Sequence, residues 1–405
     1  MKRKIAIFTG NRAEYGLQIP ILKEINKNTE LEYILIVSGA HLDPNFGKTV
    51  DEIKNDGFQI HEMVNIKNHG NNLFATSNAI GQIIVEVTNI IKKYKPDIFL
   101  VYADRFETFG AAIAASQTNT ITAHVEGGDI TQGGALDDSV RHAITKLSHL
   151  HFATNNQAKN RILAMGEEAW RVYKVGYPGI DLINLNDFYG EKKIKELINL
   201  DINQPIIIYT QHSVSNKFNL AKFQLKPALE AMSKMIESYD VQCIITYPNN
   251  DAGGKDIFLS LEKFAKTSQN IALHQSLGRK LYWGLLNLAR SQKYKVVCVG
   301  NSSSGIKETP AFGCPTVNIG TRQSGRLKGN NVIDCDYKFI EIYDAIVKCL
   351  FDENHIKQCR DTINPYGEGE VGKKIIEVIK NVDINDDLLT KKMTIKGEEK
   401  GNWFR

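Results

Sequence analysis

The sequence predicts an α/β chain folded as two doubly wound halves, each with a parallel sheet. Short β-branched runs recur along it, each followed by a polar or Gly-rich turn and then an amphipathic stretch, the pattern of βαβ units. Strands are read at Ile5–Thr9, Tyr33–Val37, Ile98–Tyr102 and Thr120–Val125, then at Ile206–Thr210, Val241–Tyr247, Val296–Val299 and Thr316–Ile319. Between them, apolar residues at three- and four-residue spacing predict helices at Leu73–Lys93, Arg141–Lys146, Leu225–Tyr239 and Leu281–Arg290. Gly176-Tyr-Pro-Gly179, with the charged stretch Glu191-Lys-Lys-Ile-Lys-Glu196 after it, separates two series of comparable length, giving domains 1–179 and 180–365. A second interruption, Asn364-Pro-Tyr-Gly-Glu-Gly-Glu-Val-Gly372, precedes an amphipathic segment at Lys373–Asn381, too late to begin a domain. A helix over about 366–382 is therefore expected to return to earlier structure, leaving 383–405 as a weakly ordered polar tail.

At 405 residues the chain has room for two or three domains of roughly 150 residues. Its 42% hydrophobic and 24% charged content excludes a disordered or fibrous protein. A net charge of +4 is too small for a whole-surface footprint on nucleic acid or membrane, so neither is expected as a partner and any anion site must be local. No apolar run approaches a membrane span, and Thr9, Asn11 and Arg12 interrupt the first apolar run before it reaches signal-peptide length. The six cysteines are irregularly spaced without a C-x-x-C pair, which points to buried, reduced thiols, a cytoplasmic location and no metal.

Ligands of open α/β sheets bind beyond the carboxyl ends of the strands, so the turns there carry the chemistry. The first turn, Gly10-Asn-Arg-Ala-Glu-Tyr-Gly16, is neither a dinucleotide fingerprint nor a P-loop, which argues against hydride transfer and P-loop NTP hydrolysis. Arg12 suits either a phosphate or a surface ion pair. Asp104 leaves the third strand, Glu126 leaves the fourth within His124-Val-Glu-Gly-Gly-Asp129, and Asp137 and Asp138 lie in a helix-start signal, Leu136-Asp-Asp-Ser-Val-Arg-His142. Crowded carboxylates pull one another's pKa values apart, so one can act as acid and another as base; for Asp137 and Asp138 the competing role is helix capping. In the second half, Thr210-Gln-His-Ser213 presents His212, Tyr247-Pro-Asn-Asn-Asp251 presents Asn250, and Gly300-Asn-Ser-Ser-Ser-Gly305 offers hydroxyls and N–H groups at a helix start for phosphate oxygens. Arg322, in Gly320-Thr-Arg-Gln323, could join the same anion.

Taken in order, Gly10-Asn-Arg-Ala-Glu14, His124-Val-Glu-Gly-Gly128, Asp137-Asp-Ser-Val-Arg-His142, Gly300-Asn-Ser-Ser-Ser-Gly305 and Gly320-Thr-Arg-Gln323 resemble the hydrolysing UDP-N-acetylglucosamine 2-epimerase family, in its sialic- and legionaminic-acid branch. The resemblance implies two Rossmann-like domains facing a cleft in the glycosyltransferase-B manner, with the last helix crossing back to the first. It implies conversion of UDP-GlcNAc and water into UDP and N-acetylmannosamine without NAD or metal: anti elimination to 2-acetamidoglucal, then hydration with inversion at C2. Asp104, Glu126 and Asp137 match the family's catalytic carboxylates and His212 its active-site histidine. Arg12, Ser302, Ser303 and Arg322 match positions near the diphosphate, and Glu308 matches the carboxylate on the ribose. His124, Asp138 and Asn250 are grouped with the substrate-binding positions, and a homodimer or homotetramer is expected. Acid and base are not told apart by the residues. The segment Asp129-Ile-Thr-Gln-Gly-Gly-Ala135 departs from the family's usual shorter one and leaves the sugar open. UDP-2,4-diacetamido-2,4,6-trideoxyglucose and a GDP-sugar are alternatives; a glycosyltransferase and a non-catalytic nucleotide-sugar sensor are remoter ones.

Overall fold

Strands buried on both faces by flanking helices read as continuous apolar runs, and such runs build two parallel sheets here. The computed structural model describes residues 2–43, 49–66, 73–131, 135–248, 253–396 and 403–404. The chain divides into two units, Met1–Ile130 with Leu136–Asp181 and Gly369–Arg405, and Thr131–Ala135 with Leu182–Glu368. In the first unit, β1 (Arg3–Thr9), β2 (Leu31–Ser38), β3 (Glu62–Val64), β4 (Ile98–Tyr102), β5 (Ile121–Val125), β6 (Leu150–Ala153) and β7 (Val172–Lys174) pair in the order β3-β2-β1-β4-β5-β6-β7. In the second, β8 (Ile206–Thr210), β9 (Gln242–Thr246), β10 (Ile271–His274), β11 (Val296–Gly300), β12 (Thr316–Ile319) and β13 (Val332–Cys335) pair in the order β10-β9-β8-β11-β12-β13. Both sheets are parallel throughout.

The strand order reverses between β1 and β4 in one sheet and between β8 and β11 in the other. Helices leave opposite faces at such a point, so the carboxyl ends open into a crevice there. Five strands escape the sequence reading, β3, β6, β7, β10 and β13, each three or four residues long and each carrying a charged residue or histidine (Glu62, His151, Lys174, His274, Asp334). In the first core, Phe8, Ile36, Phe99 and Val101 pack with Ala111, Ala112 and Ala115 of the helix Phe106–Gln117 and with Ile83 and Val87 of Leu73–Tyr94. In the second, Ile207, Ile245, Val297 and Val299 meet the helices Ala221–Tyr239 and Phe339–Phe351. All six cysteines are buried. Among the described residues no helix is long and apolar enough to cross a membrane.

The helix Val371–Asn381 packs on Arg12–Lys27, and Gly372 is where they touch: a Cβ there would lie 2.6 Å from the Pro20 carbonyl oxygen. Its first N–H groups, from Val371 and Gly372, donate to the Asp181 carboxylate at 2.9 Å each, satisfying donors a helix start leaves unpaired. At its other end Arg3 donates to the carbonyls of Ile379 and Lys380. The expectation of a weakly ordered tail from 383 needs correction for residues 383–394. The buried Arg171 guanidinium donates to the carbonyls of Asp387 (2.6 Å), Leu388 (2.7 Å) and Thr390 (3.1 Å), and Lys391 pairs with buried Glu167 at 2.9 Å. Docking runs through main-chain carbonyls rather than an apolar stripe, so hydrophobic periodicity does not report it.

Candidate active site

At the carboxyl ends of β4 and β5 the backbone turns through Ala103 (φ 57°) and Glu126 (φ 65°), both in the left-handed region that side chains other than glycine rarely adopt. Such positions persist where surrounding bonds hold them, and they cluster at functional sites. Here the Ala103 N–H donates to Val125 and the Glu126 N–H to Phe152, each at 2.9 Å. Asp104 directly follows the first of these residues, and the second, Glu126, itself bears a carboxylate.

One buried cation joins the two turns. Arg141, on the helix Ala135–Leu147, donates to the Asp104 carboxylate and, at 2.9 Å, to the Glu126 carbonyl. Burial alone would lower the Arg141 pKa; Asp104, Glu126, Asp129 and Asp138 outweigh it and the guanidinium stays charged. The Glu126 carboxylate accepts a hydrogen bond from the Tyr102 hydroxyl. Burial, then the Glu126 charge, pushes that hydroxyl well above its usual range, which keeps it protonated as a donor. Asp137 is exposed on the first turn of its helix and Asp138 half-buried beside it. Arg141 and Tyr102 carry no role in the sequence reading. The four-residue spacing Asp137–Arg141 was available as a signal, but it reads equally well as an exposed helical pair.

His124 is a correction. It is fully buried, with Nε2 2.8 Å from the Ala103 carbonyl and Nδ1 3.1 Å from Thr145 Oγ1. Burial pushes its pKa down to about 3, so the neutral ring supports the β4 turn and has no nitrogen left for a substrate. Arg12 is exposed and forms the surface ion pair that was its competing reading, with Glu52 at 3.0 Å. Asn250 lies outside the described residues, as do 132–134 of the segment between Glu126 and Asp137.

Under the β1 turn, buried Glu14 accepts from the Gly10 N–H (3.1 Å) and from Thr108 Oγ1 (3.3 Å). Burial, then the neighbouring Glu107 charge, raises its pKa to about 8. The fold therefore keeps a proton that the unfolded chain releases near 4.5, and stability contributed by that proton falls as pH rises from about 4.5 through about 8. Glu14→Gln is expected to flatten this fall in urea denaturation midpoints taken from pH 5 to 8; a slope equal to that of the unchanged chain would refute it.

In the second unit the equivalent turns follow β8, β11 and β12. Gly300 (φ 129°) lies against the β8 turn so closely that a Cβ would fall 1.9 Å from the Thr210 carbonyl oxygen. Ser302 and Ser303 follow, half-buried. The helix they enter, Ser304–Lys307, is a single turn, so the expected aid from a helix dipole is small and hydroxyl and N–H donors remain. The Glu308 carboxylate accepts from Trp283 Nε1 (2.7 Å) and Ser304 Oγ (3.0 Å). Arg322 donates to the Asn301 carbonyl at 3.1 Å. Cys298, beneath this loop, is no nucleophile, since burial pushes its thiol up to about 12. Among the described residues no group of three or more His, Cys, Asp or Glu could hold a metal.

A family model described as UDP-N-acetylglucosamine 2-epimerase matches residues 23–380. The chain is 32% identical over 391 residues to a UDP-N,N'-diacetylbacillosamine 2-epimerase (hydrolyzing) of Legionella pneumophila, covering 96% of this chain and 99% of the relative. It is 31% identical over 384 residues to a UDP-N-acetylglucosamine 2-epimerase of Neisseria meningitidis, covering 94% and 96%. Its fold is similar to that of a crystal structure of UDP-GlcNAc 2-epimerase from Neisseria meningitidis bound to UDP-GlcNAc, with a TM-score of 0.79, 18% identity and coverage of 94% and 100%.

Proposed function

Because the chain belongs to the UDP-N-acetylglucosamine 2-epimerase family, we propose that it is a hydrolysing 2-epimerase converting UDP-GlcNAc and water to UDP and N-acetylmannosamine. The observation that supports this reading is one buried guanidinium that holds the Asp104 carboxylate and the Glu126 main-chain carbonyl at the carboxyl ends of neighbouring strands, with the Glu126 carboxylate on the Tyr102 hydroxyl. Anti elimination needs a base to take the C2 proton while the C1–O bond to UDP breaks. Hydration of the resulting 2-acetamidoglucal needs water at C1 and an acid that returns a proton to the opposite face of C2. Asp104, Glu126 and Asp137 supply these proton transfers, with His212 as the further catalytic residue. Ser302, Ser303 and Arg322 meet the diphosphate, where charge grows on the leaving group, and Glu308 takes the ribose hydroxyls. A carboxylate already fixed by Trp283 and Ser304 suits that last task, because its orientation is set before the ligand arrives.

A second reading, the same chemistry on UDP-2,4-diacetamido-2,4,6-trideoxyglucose, is favoured by the name of the Legionella relative. Incubation with each nucleotide sugar in D2O, followed by proton NMR, separates the two. Release of UDP with C2-deuterated N-acetylmannosamine is expected. Turnover of the diacetamido sugar alone would move the assignment to that substrate. Tight UDP binding with no turnover of either sugar would overturn the proposal. Residues Asp138 and the cytoplasmic, homo-oligomeric setting remain part of the same proposal: Asp138 as a substrate-side carboxylate, the chain as a homodimer or homotetramer.

A further inference from the structure

We infer that Asn301 is a positioning residue for His212, an inference that rests on the catalytic part proposed for that histidine. Parallel neighbours β8 and β11 end side by side, with Gly300 opposite Thr210. Only a residue without a Cβ fits there, and the contact lets the next N–H, from Asn301, donate to the Thr210 carbonyl at 3.1 Å. Asn301 is thereby turned inward and buried, and its amide reads the His212 peptide at both polar atoms. Oδ1 accepts from the His212 N–H at 2.7 Å, and Nδ2 donates to the His212 carbonyl at 2.8 Å. A side-chain amide is the group that can do both at once, since a carboxylate lacks the donor and a hydroxyl lacks the reach. The Asn301 main-chain carbonyl separately accepts from Arg322 (3.1 Å) and Gln323 Nε2 (2.9 Å).

These contacts divide the labour of one residue: its side chain fixes the histidine turn, and its main chain fixes the arginine assigned to the diphosphate. Asn301→Ala deletes the first set and leaves the second. Turnover of the nucleotide sugar by the full chain is therefore expected to fall about 10-fold, because a misplaced catalytic group costs rate. The UDP dissociation constant, measured by calorimetry, is expected to stay within about twofold, since Arg322 keeps its main-chain partner. In a His212→Ala background the same substitution is expected to add nothing, because what it positions is gone. Asn301→Asp, near in shape, keeps the acceptor and loses the donor, and is expected to fall between the two; it also serves if the alanine variant does not fold.

Equal losses in turnover and UDP affinity would overturn the inference, as would an undiminished effect of Asn301→Ala in the His212→Ala background. Unchanged turnover in both Asn301 variants would overturn it too. Absence of turnover by the unchanged chain is a different result: it would remove the functional reading and this inference with it.

Discussion

Glu126→Gln is expected to lower turnover by about 10²- to 10⁴-fold while UDP affinity stays near that of the unchanged chain. Glutamine keeps the size of the side chain and an oxygen for the Tyr102 hydroxyl to donate to, so the left-handed turn at Glu126 has little reason to move. What it lacks is the capacity to take or return a proton at C2. The groups assigned to the diphosphate and ribose, Ser302, Ser303, Arg322 and Glu308, belong to the second unit, so nucleotide binding should report little of the change. Turnover followed by NMR and UDP affinity by calorimetry check the two halves of the expectation. Near-normal turnover would remove Glu126 from the chemistry.

Arg141→Met is expected to destabilise the fold by about 3 to 5 kcal/mol, the usual range for removing one partner of a buried ion pair. Methionine replaces the apolar stem but not the donors. Asp104 then loses its cation, and the Glu126 carbonyl loses the N–H that held it at 2.9 Å. The penalty comes mainly from the stranded partners, so Asp104→Asn combined with Arg141→Met should cost less than the two single changes added together. Urea denaturation of the four chains measures this. A loss below about 1 kcal/mol for Arg141→Met would mean that the pair is solvated and does not fix the two turns.

Much of the scaffold is legible in the sequence because its signal is local. The runs Ile98–Tyr102, Ile206–Thr210 and Thr316–Ile319 coincide with β4, β8 and β12, since a buried parallel strand must be apolar on both faces. Asp104, Glu126, His212 and Ser302 stand out by the same logic, as polar residues where an apolar run stops. Short strands such as β3 and β7 do not, because three residues carry no period. His124 illustrates the opposite failure. A histidine beside a catalytic-looking motif invites a ligand role, whereas its two nitrogens are already spent on Ala103 and Thr145, residues 21 positions away on either side.

By itself, then, the sequence determined two parallel α/β halves and the acidic, Ser-rich and Arg-bearing turns at their strand ends, because burial imposes its pattern on neighbouring residues. Only the tertiary structure decided which groups those turns lean on: Arg141 between Asp104 and Glu126, Tyr102 beneath Glu126, Asn301 against the His212 peptide, Arg171 on the carbonyls after Asp386. Each of these is a polar contact between residues distant in the chain, made by a side chain whose direction follows from strand order and register. Hydrogen bonds of that kind leave no periodic trace, since any donor of the right reach can make them once the topology has brought the acceptor near.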